Sequence, residues 1–185
     1  MPALVSPTVE VHASFLAAIA EYVEEGRTRP YDHGYPDRDL RTQATRWTTP
    51  AGFAELVDRL HRDAHDDPER PEWLVASTTL WWVDGEEYLG RIQVRHRLST
   101  WLREWGGHIG YDVRPGARRR GHATAMLAAA LPATHRLGID PALVTCDETN
   151  LASRRVIEAN GGVLEDVRTA TGVPPKMRFW VPTAP

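Results

Sequence analysis

The sequence holds a single cysteine, Cys146, in 185 residues. No intrachain disulfide can form, so stability has to come from packing, as expected in a reducing compartment. No apolar run approaches the roughly 18 residues that a transmembrane helix needs, which argues against a membrane partner. The first residues, MPALVSPTVEV, lack the basic segment and apolar stretch of a secretory leader. The expected location is therefore cytoplasmic. There is no basic excess either: the net charge is −3 and the pI is near 6.2. General nucleic-acid affinity is not expected of such a chain, although a local basic patch can still hold an anion. Internal repeats and low-complexity linkers are also lacking. Residues 1–185 thus read as one domain with a core of its own.

What is present is a hydrophobic period that changes along the chain. Residues 3–6 read as a short strand. Thr8 reads as the N-cap of a helix over about 9–25, with Phe15, Leu16, Ile19, Tyr22 and Val23 on its apolar face. Residues 27–47 are rich in Pro, Gly, Asp and aromatics and read as one long irregular segment, a kind of loop that is often functional. Thr49 and Pro50 supply a cap and a first-turn proline for a helix to about residue 65. Two long strands, near 73–83 and 87–97, flank an Asp84-Gly85 hairpin turn. A short helical piece near 99–105 precedes a strand at about 107–115. The next helix, about 121–137, contains Pro132, which is expected to bend it or break its last turn. A strand at 142–147 leads to a short helix opened by Asn150 and closed by Gly161-Gly162. Strands near 163–169 and 176–181 finish the chain. The pattern is that of an α/β or α+β fold with a mixed sheet and helices on both faces.

The most informative stretch is RPGARRRGHATAMLAAAL, Arg114 to Leu131. It concentrates arginine and glycine between a strand and a helix. A helix N-terminus offers unpaired N–H groups and the positive end of its dipole. Glycine lets that backbone approach an anion closely, and arginine adds forked donors. The combination suits a diphosphate held by the N–H groups from Arg119 to Thr124, with Arg118, Arg119 and Arg120 at the rim. A solvated turn is the competing reading. The lysine of a GxxxxGK[ST] loop is missing, and so is a GxGxxG dinucleotide fingerprint.

Arg118-Arg119-Arg120-Gly121-His122-Ala123 resembles the R/Q-x-x-G-x-G/A signature of the GNAT (GCN5-related N-acetyltransferase) superfamily. The preceding HIGYDVRP is similar to that family's strand, and LVTCDE followed by Asn150, Ser153 and Gly161-Gly162 is similar to its N-x-x-S…G segment. The resemblance covers about residues 105–165. It implies a GNAT-like, mostly antiparallel sheet in which two central parallel strands splay apart. It also implies acetyl-CoA as cosubstrate and transfer of the acetyl group to an amine. Tyr111, Asp112 and Val113 would then line the pantetheine arm. Arg118, Arg119, Arg120, Gly121, His122, Ala123 and Thr124 would hold the pyrophosphate, and Asn150 and Ser153 would face the cofactor.

Direct transfer to an amine needs a proton acceptor, a donor to the thioester oxygen and a proton for the leaving thiolate. His108 stands where many relatives carry a strand glutamate and is one candidate base, with a polar strand-edge residue as the alternative. Asp147 and Glu148, at the end of the second splayed strand, are the next candidates, with helix-terminal electrostatics as their alternative. Asp112 ranks last. The sequence departs from its relatives at Ile157, where many have a tyrosine that serves as acid. Cys146 reads as a structural residue. His61 and His65 are spaced like a metal pair but lack a third ligand, so no metal is expected. Trp73, Trp81 and Trp82 read as filling the core or a dimer surface, with a substrate groove as the alternative, and a homodimer is left open. The resemblance makes Tyr31, Asp32, His33 and Tyr35 candidates for the acceptor wall, with an ordinary packed loop as the alternative. The rival to an enzyme is a non-catalytic module that binds coenzyme A or acyl-CoA as a sensor.

Overall fold

The computed structural model describes residues 1–26, 40–71 and 74–184. Seven strands form one sheet: β1 (Ala3–Val5), β2 (Ser77–Asp84), β3 (Glu87–Arg95), β4 (Ile109–Val113), β5 (Ala142–Asp147), β6 (Val163–Ala170) and β7 (Val173–Val181). Their order is β1-β2-β3-β4-β5-β7-β6, and every pairing is antiparallel except β4 with β5. Among the described residues the sheet is joined by the α-helices α1 (His12–Glu24), α2 (Leu40–Trp47), α3 (Pro50–Arg62), α4 (His122–Arg136) and α5 (Leu151–Ala159). None of these helices is long and apolar enough to cross a membrane.

Strand alternation divides the apolar residues between two cores. On one face, Ile92, Val94, Ile109, Val144 and Phe179 pack against Met126, Leu127, Ala130 and Ile157 of α4 and α5. On the other, Trp81, Val83 and Tyr88 pack against Phe15 and Ile19 of α1 and Phe53, Leu56 and Val57 of α3. Trp81 and Trp82 are both buried, which places them in the cores. Trp73 lies outside the described residues.

Several elements differ from the sequence reading. Thr8 caps a short 3₁₀ turn, Val9–Val11, which runs into α1. The segment expected to be irregular to residue 47 ends in helix α2. Trp47 anchors that helix edge-on against Phe15, with ring centroids 5.6 Å apart. Residues 27–39, with Tyr31, Asp32, His33 and Tyr35, lie outside the described residues. The hairpin turns at Gly85-Glu86, because Asp84 still pairs with Glu87. The piece near residue 100 is a π-helical turn, Leu102–Gly106. Pro132 does not break α4, which continues to Arg136. The carbonyl that loses its partner there belongs to Ala128, on the exposed side of the helix, where water can satisfy it.

Candidate active site

The parallel strands β4 and β5 meet at one residue pair, Ile109 with Val144. Just before it, the His108 N–H donates to the Leu143 carbonyl at 2.6 Å. Beyond it the strands part, so Tyr111 and Val113 have no strand partner on the β5 side. Their side chains share the α4–α5 face of the sheet. The Tyr111 hydroxyl reaches across the gap to within 2.7 Å of Ser153 Oγ on α5. Burial raises the Tyr111 phenol well above its ordinary value. The gap opens into a cleft of about 600 Å³ lined by β4, the turn before α4, and α5.

The turn at the mouth of this cleft has an unusual backbone. Arg119 and Gly121 both adopt left-handed conformations, with φ of +62° and +80°. A left-handed residue between right-handed or extended neighbours turns successive N–H groups toward one side and makes an anion-binding nest. Among the described residues, no backbone acceptor takes the N–H groups of residues 119–124. The first N–H bonded in α4 is that of Ala125, to Gly121 at 3.1 Å. A Cβ built on Gly121 meets nothing within 4 Å. Free donors, open space and the start of a 15-residue helix thus coincide at one point. The arrangement fits a diphosphate followed by a thin, extended chain along β4.

The acetyltransferase (GNAT) domain model matches residues 14–163. This chain belongs to the GNAT acetyltransferase family. Similar solved structures include Mycobacterium smegmatis RimJ in complex with CoA-disulfide. It shares 16% identity, covering 98% of this chain and 81% of that one, with a TM-score of 0.69. The ribosomal-protein-S5-alanine acetyltransferase of Vibrio fischeri shares 11% identity over 98% and 93%, with a TM-score of 0.65. The microcin C7 self-immunity acetyltransferase MccE, in complex with acetyl-CoA and AMP, shares 11% over 98% and 92%, with a TM-score of 0.64. At these identities the likeness shows a shared fold. No curated protein matches this chain.

Within the GNAT fold the arginines of the signature have separate tasks. Arg118 lines the cleft, but its Nε donates to the Val113 carbonyl at 3.1 Å and its two terminal nitrogens hold Glu25, the C-cap of α1. Arg119 lines the cleft, whereas Arg120 is exposed and does not. Arg155 of α5 also lines it. It lies outside the N-x-x-S pattern, but it is one turn from Ala152 on the same helix face. Glu21 and Glu25 are the residues that sequence reasoning missed. Glu21 accepts from Arg114 and from the Gly116 N–H at 2.8 Å. The Arg114 guanidinium holds the Glu21 carboxyl below its ordinary range. Two glutamates one turn apart therefore clamp the turn before α4 onto α1. Their signal was a misfit: carboxylates at the C-terminal end of a helix oppose its dipole.

Asn150 lines the cleft, and its Oδ1 accepts from the Ser153 N–H at 3.0 Å, the bond of an N-cap. Asn150→Ser keeps a capping oxygen and should hold Tm within about 3 °C, since caps are worth roughly 1 kcal/mol. If Asn150 also reaches the cofactor arm, calorimetry with coenzyme A should show weaker binding. Equal affinity would leave capping as its whole role.

The catalytic candidates are not brought together. His108 sits where β4 and β5 are still paired and is 9% exposed. Its Nδ1 accepts the Leu143 N–H at 2.9 Å, so the neutral ring carries its proton on Nε2. Burial first, then the Arg103 and Arg95 charges, push its pKa down to about 4. Asp147 lies four residues past Leu143 on β5, about 13 Å along the strand. Its carboxylate is paired with Lys176 at 2.5 Å. Glu148 is exposed, and its N–H donates to Pro175. Asp112 faces away from Tyr111, toward Arg91 at 3.8 Å. Ile157 is fully buried and belongs to the core, packed against Gly162. Cys146 is buried, and burial raises its thiol pKa. The His61 Nε2 lies 2.9 Å from the Pro7 carbonyl, a fold contact between α3 and the N-terminal segment.

The His108 pKa has a consequence for stability. In the unfolded chain the ring takes a proton near its ordinary 6.5, whereas in the folded protein it resists until about pH 4. Stability is then complete above the unfolded value and falls as pH drops from about 6.5 to 4. The loss should reach roughly 3 kcal/mol. Asn in place of His108 can still accept the Leu143 N–H but cannot titrate. Urea unfolding of His108→Asn should lose most of the difference between pH 7.5 and pH 4.5 that the parent shows. An unchanged difference would assign the acid sensitivity to other groups.

Proposed function

We propose that this protein is an acetyl-CoA-dependent N-acetyltransferase that moves the acetyl group directly to an amine of a small molecule or peptide. The observation that carries this reading is the pairing of a free-donor nest at residues 119–124 with a strand edge at Tyr111 and Val113 that β5 does not pair, where Arg118 takes the Val113 carbonyl and the Tyr111 backbone stays open. One binds a diphosphate, and the other accepts an amide-bearing chain edge-on. When bound, the cosubstrate supplies an activated acetyl thioester. Arg119, Gly121, His122, Ala123 and Thr124 bind its phosphates, while Arg118 holds the turn in place. Tyr111, Asp112, Val113, Asn150 and Ser153 border its arm.

The proton steps divide among the sequence candidates in a different order of preference. His108 offers an Nε2–H, because Leu143 occupies its other nitrogen. It serves as a neutral donor near the point where the strands part. Deprotonation of the amine is assigned to the carboxylates at the end of β5. Asp147 is neutralised by Lys176, whereas Glu148 has no ion pair among the described residues. Ile157, buried in the core, cannot supply the acid. Tyr111 keeps its proton at neutral pH, and its hydroxyl is held by Ser153 on α5.

The test is thiol release from acetyl-CoA with a panel of small amines and N-terminal peptides. Amine-dependent release that falls at least about 100-fold in Glu148→Gln, with coenzyme A affinity retained, supports both the activity and the base. Tight binding of acetyl-CoA with no release for any amine would instead favour the sensor. A profile that His108→Asn alters and Glu148→Gln does not would return the base to His108.

A further inference from the structure

We infer that the His122 side chain is a donor to the diphosphate, with its tautomer fixed from behind by Trp82. The inference rests on the cofactor reading above and adds a residue-specific device to it. His122 occupies a variable position of the signature, where sequence reasoning gives it a backbone role alone. The structure gives its ring a defined partner. Trp82, on β2, is 6% exposed and lies on the α4 face of the sheet. Beside it β2 carries a register shift between Trp82 and Val83, an irregularity of the kind that re-aims side chains. Its indole nitrogen donates to His122 Nδ1 at 3.2 Å.

An indole N–H can only donate, so the nitrogen it meets must present a lone pair. The neutral His122 ring therefore carries its hydrogen on Nε2. That nitrogen has no partner among the described residues. The ring belongs to the first residue of α4 and lines the cleft beside Arg119, Gly121 and Thr124. A neutral N–H with a fixed direction is thus added to the backbone nest. Without Trp82 the ring would be free to place a lone pair toward the phosphates in one of its two tautomers. Trp82 is a positioning residue, and His122 is the contact.

The test combines ring ¹⁵N NMR with calorimetry against coenzyme A and 3′-dephospho-coenzyme A. The wild type should show the Nε2–H tautomer at His122, and Trp82→Phe should shift the ring to a tautomer mixture. His122→Asn keeps an acceptor for Trp82 but has nothing at the Nε2 position, and should bind coenzyme A about tenfold more weakly. His122→Gln places an amide N–H near that position and should stay within about threefold of wild type. The loss in His122→Asn should be equal for the dephospho ligand. A loss seen with coenzyme A alone would overturn the diphosphate assignment. Wild-type affinity in a folded His122→Asn protein, or an Nδ1–H tautomer in the wild type, would overturn this inference alone. Failure of the folded wild type to bind coenzyme A would overturn the cofactor reading itself.

Discussion

Replacing Gly121 with glutamate should lower coenzyme A affinity by at least about 100-fold in a protein that still folds. Gly121 is the N-cap of α4, at φ +80°, with open space where a side chain would begin. Two effects follow from any substitution. A non-glycine residue in the left-handed region costs roughly 1–2 kcal/mol of stability. Its side chain also enters the space in front of the free N–H groups. Glutamate adds a third effect, because its charge opposes the phosphates at close range, a juxtaposition that costs several kcal/mol. Gly121→Gln carries the same strain and bulk without the charge. Calorimetry on the pair separates the contributions, and the glutamate variant should be the weaker by about tenfold or more. Equal affinity of wild type and Gly121→Glu would remove the anion site from this turn.

Glu21→Ala should be the most damaging change outside the cleft. Arg114 has an 11% exposed side chain and relies on Glu21 for its nearest carboxylate, with Glu87 farther away at 3.8 Å. Removing one partner of a fully buried pair costs 3–5 kcal/mol. This pair is partly exposed on the Glu21 side, so about 2 kcal/mol is expected. The Gly116 N–H loses its acceptor too, and the turn loses its anchor on α1. Coenzyme A affinity should fall about tenfold with it. Glu25→Ala is the contrast: its pair with Arg118 is half-exposed and should contribute below about 1 kcal/mol. Because the Glu21 carboxyl is held below its ordinary range, its contribution is complete above the unfolded value and is lost as pH falls through the lowered one. Urea unfolding and calorimetry on the two variants check the ranking. Similar losses in both would mean that the clamp is shared equally.

Much of the site was legible because it is local. The signature from Arg118 to Ala123, the strand before it and the Asn150 cap each lie within one stretch of chain, where spacing alone implies geometry. The splay was legible only through resemblance, since nothing in the composition of Ile109–Val113 says that its far side lacks a partner. The partners of buried polar atoms were not legible. Arg118 reads as a phosphate ligand by type, yet a carboxylate 93 positions away takes its guanidinium. His108 reads as a base by position, yet a backbone N–H from β5 occupies one nitrogen. His122 reads as a spacer, yet an indole 40 positions earlier orients its ring. Helix α2 is hidden in the sequence because turn-forming residues just upstream dominate the composition of the segment. Pro132 removes a hydrogen bond whatever its setting, and only the exposure of Ala128 makes the loss tolerable.

The single residue pair between β4 and β5 gives this sheet an edge in its middle. Unpaired strand edges are the surfaces through which β-proteins aggregate, and they are commonly blunted by charge, shortness or cover. β4 is shielded by cover. Its strand-unpaired side lies between α5 on one side and the turn before α4 on the other, and Arg118 takes the Val113 carbonyl. Recruitment of another sheet would have to pass both of these elements to reach the edge. The elements that frame the cleft thereby also cover the edge that the sheet leaves open.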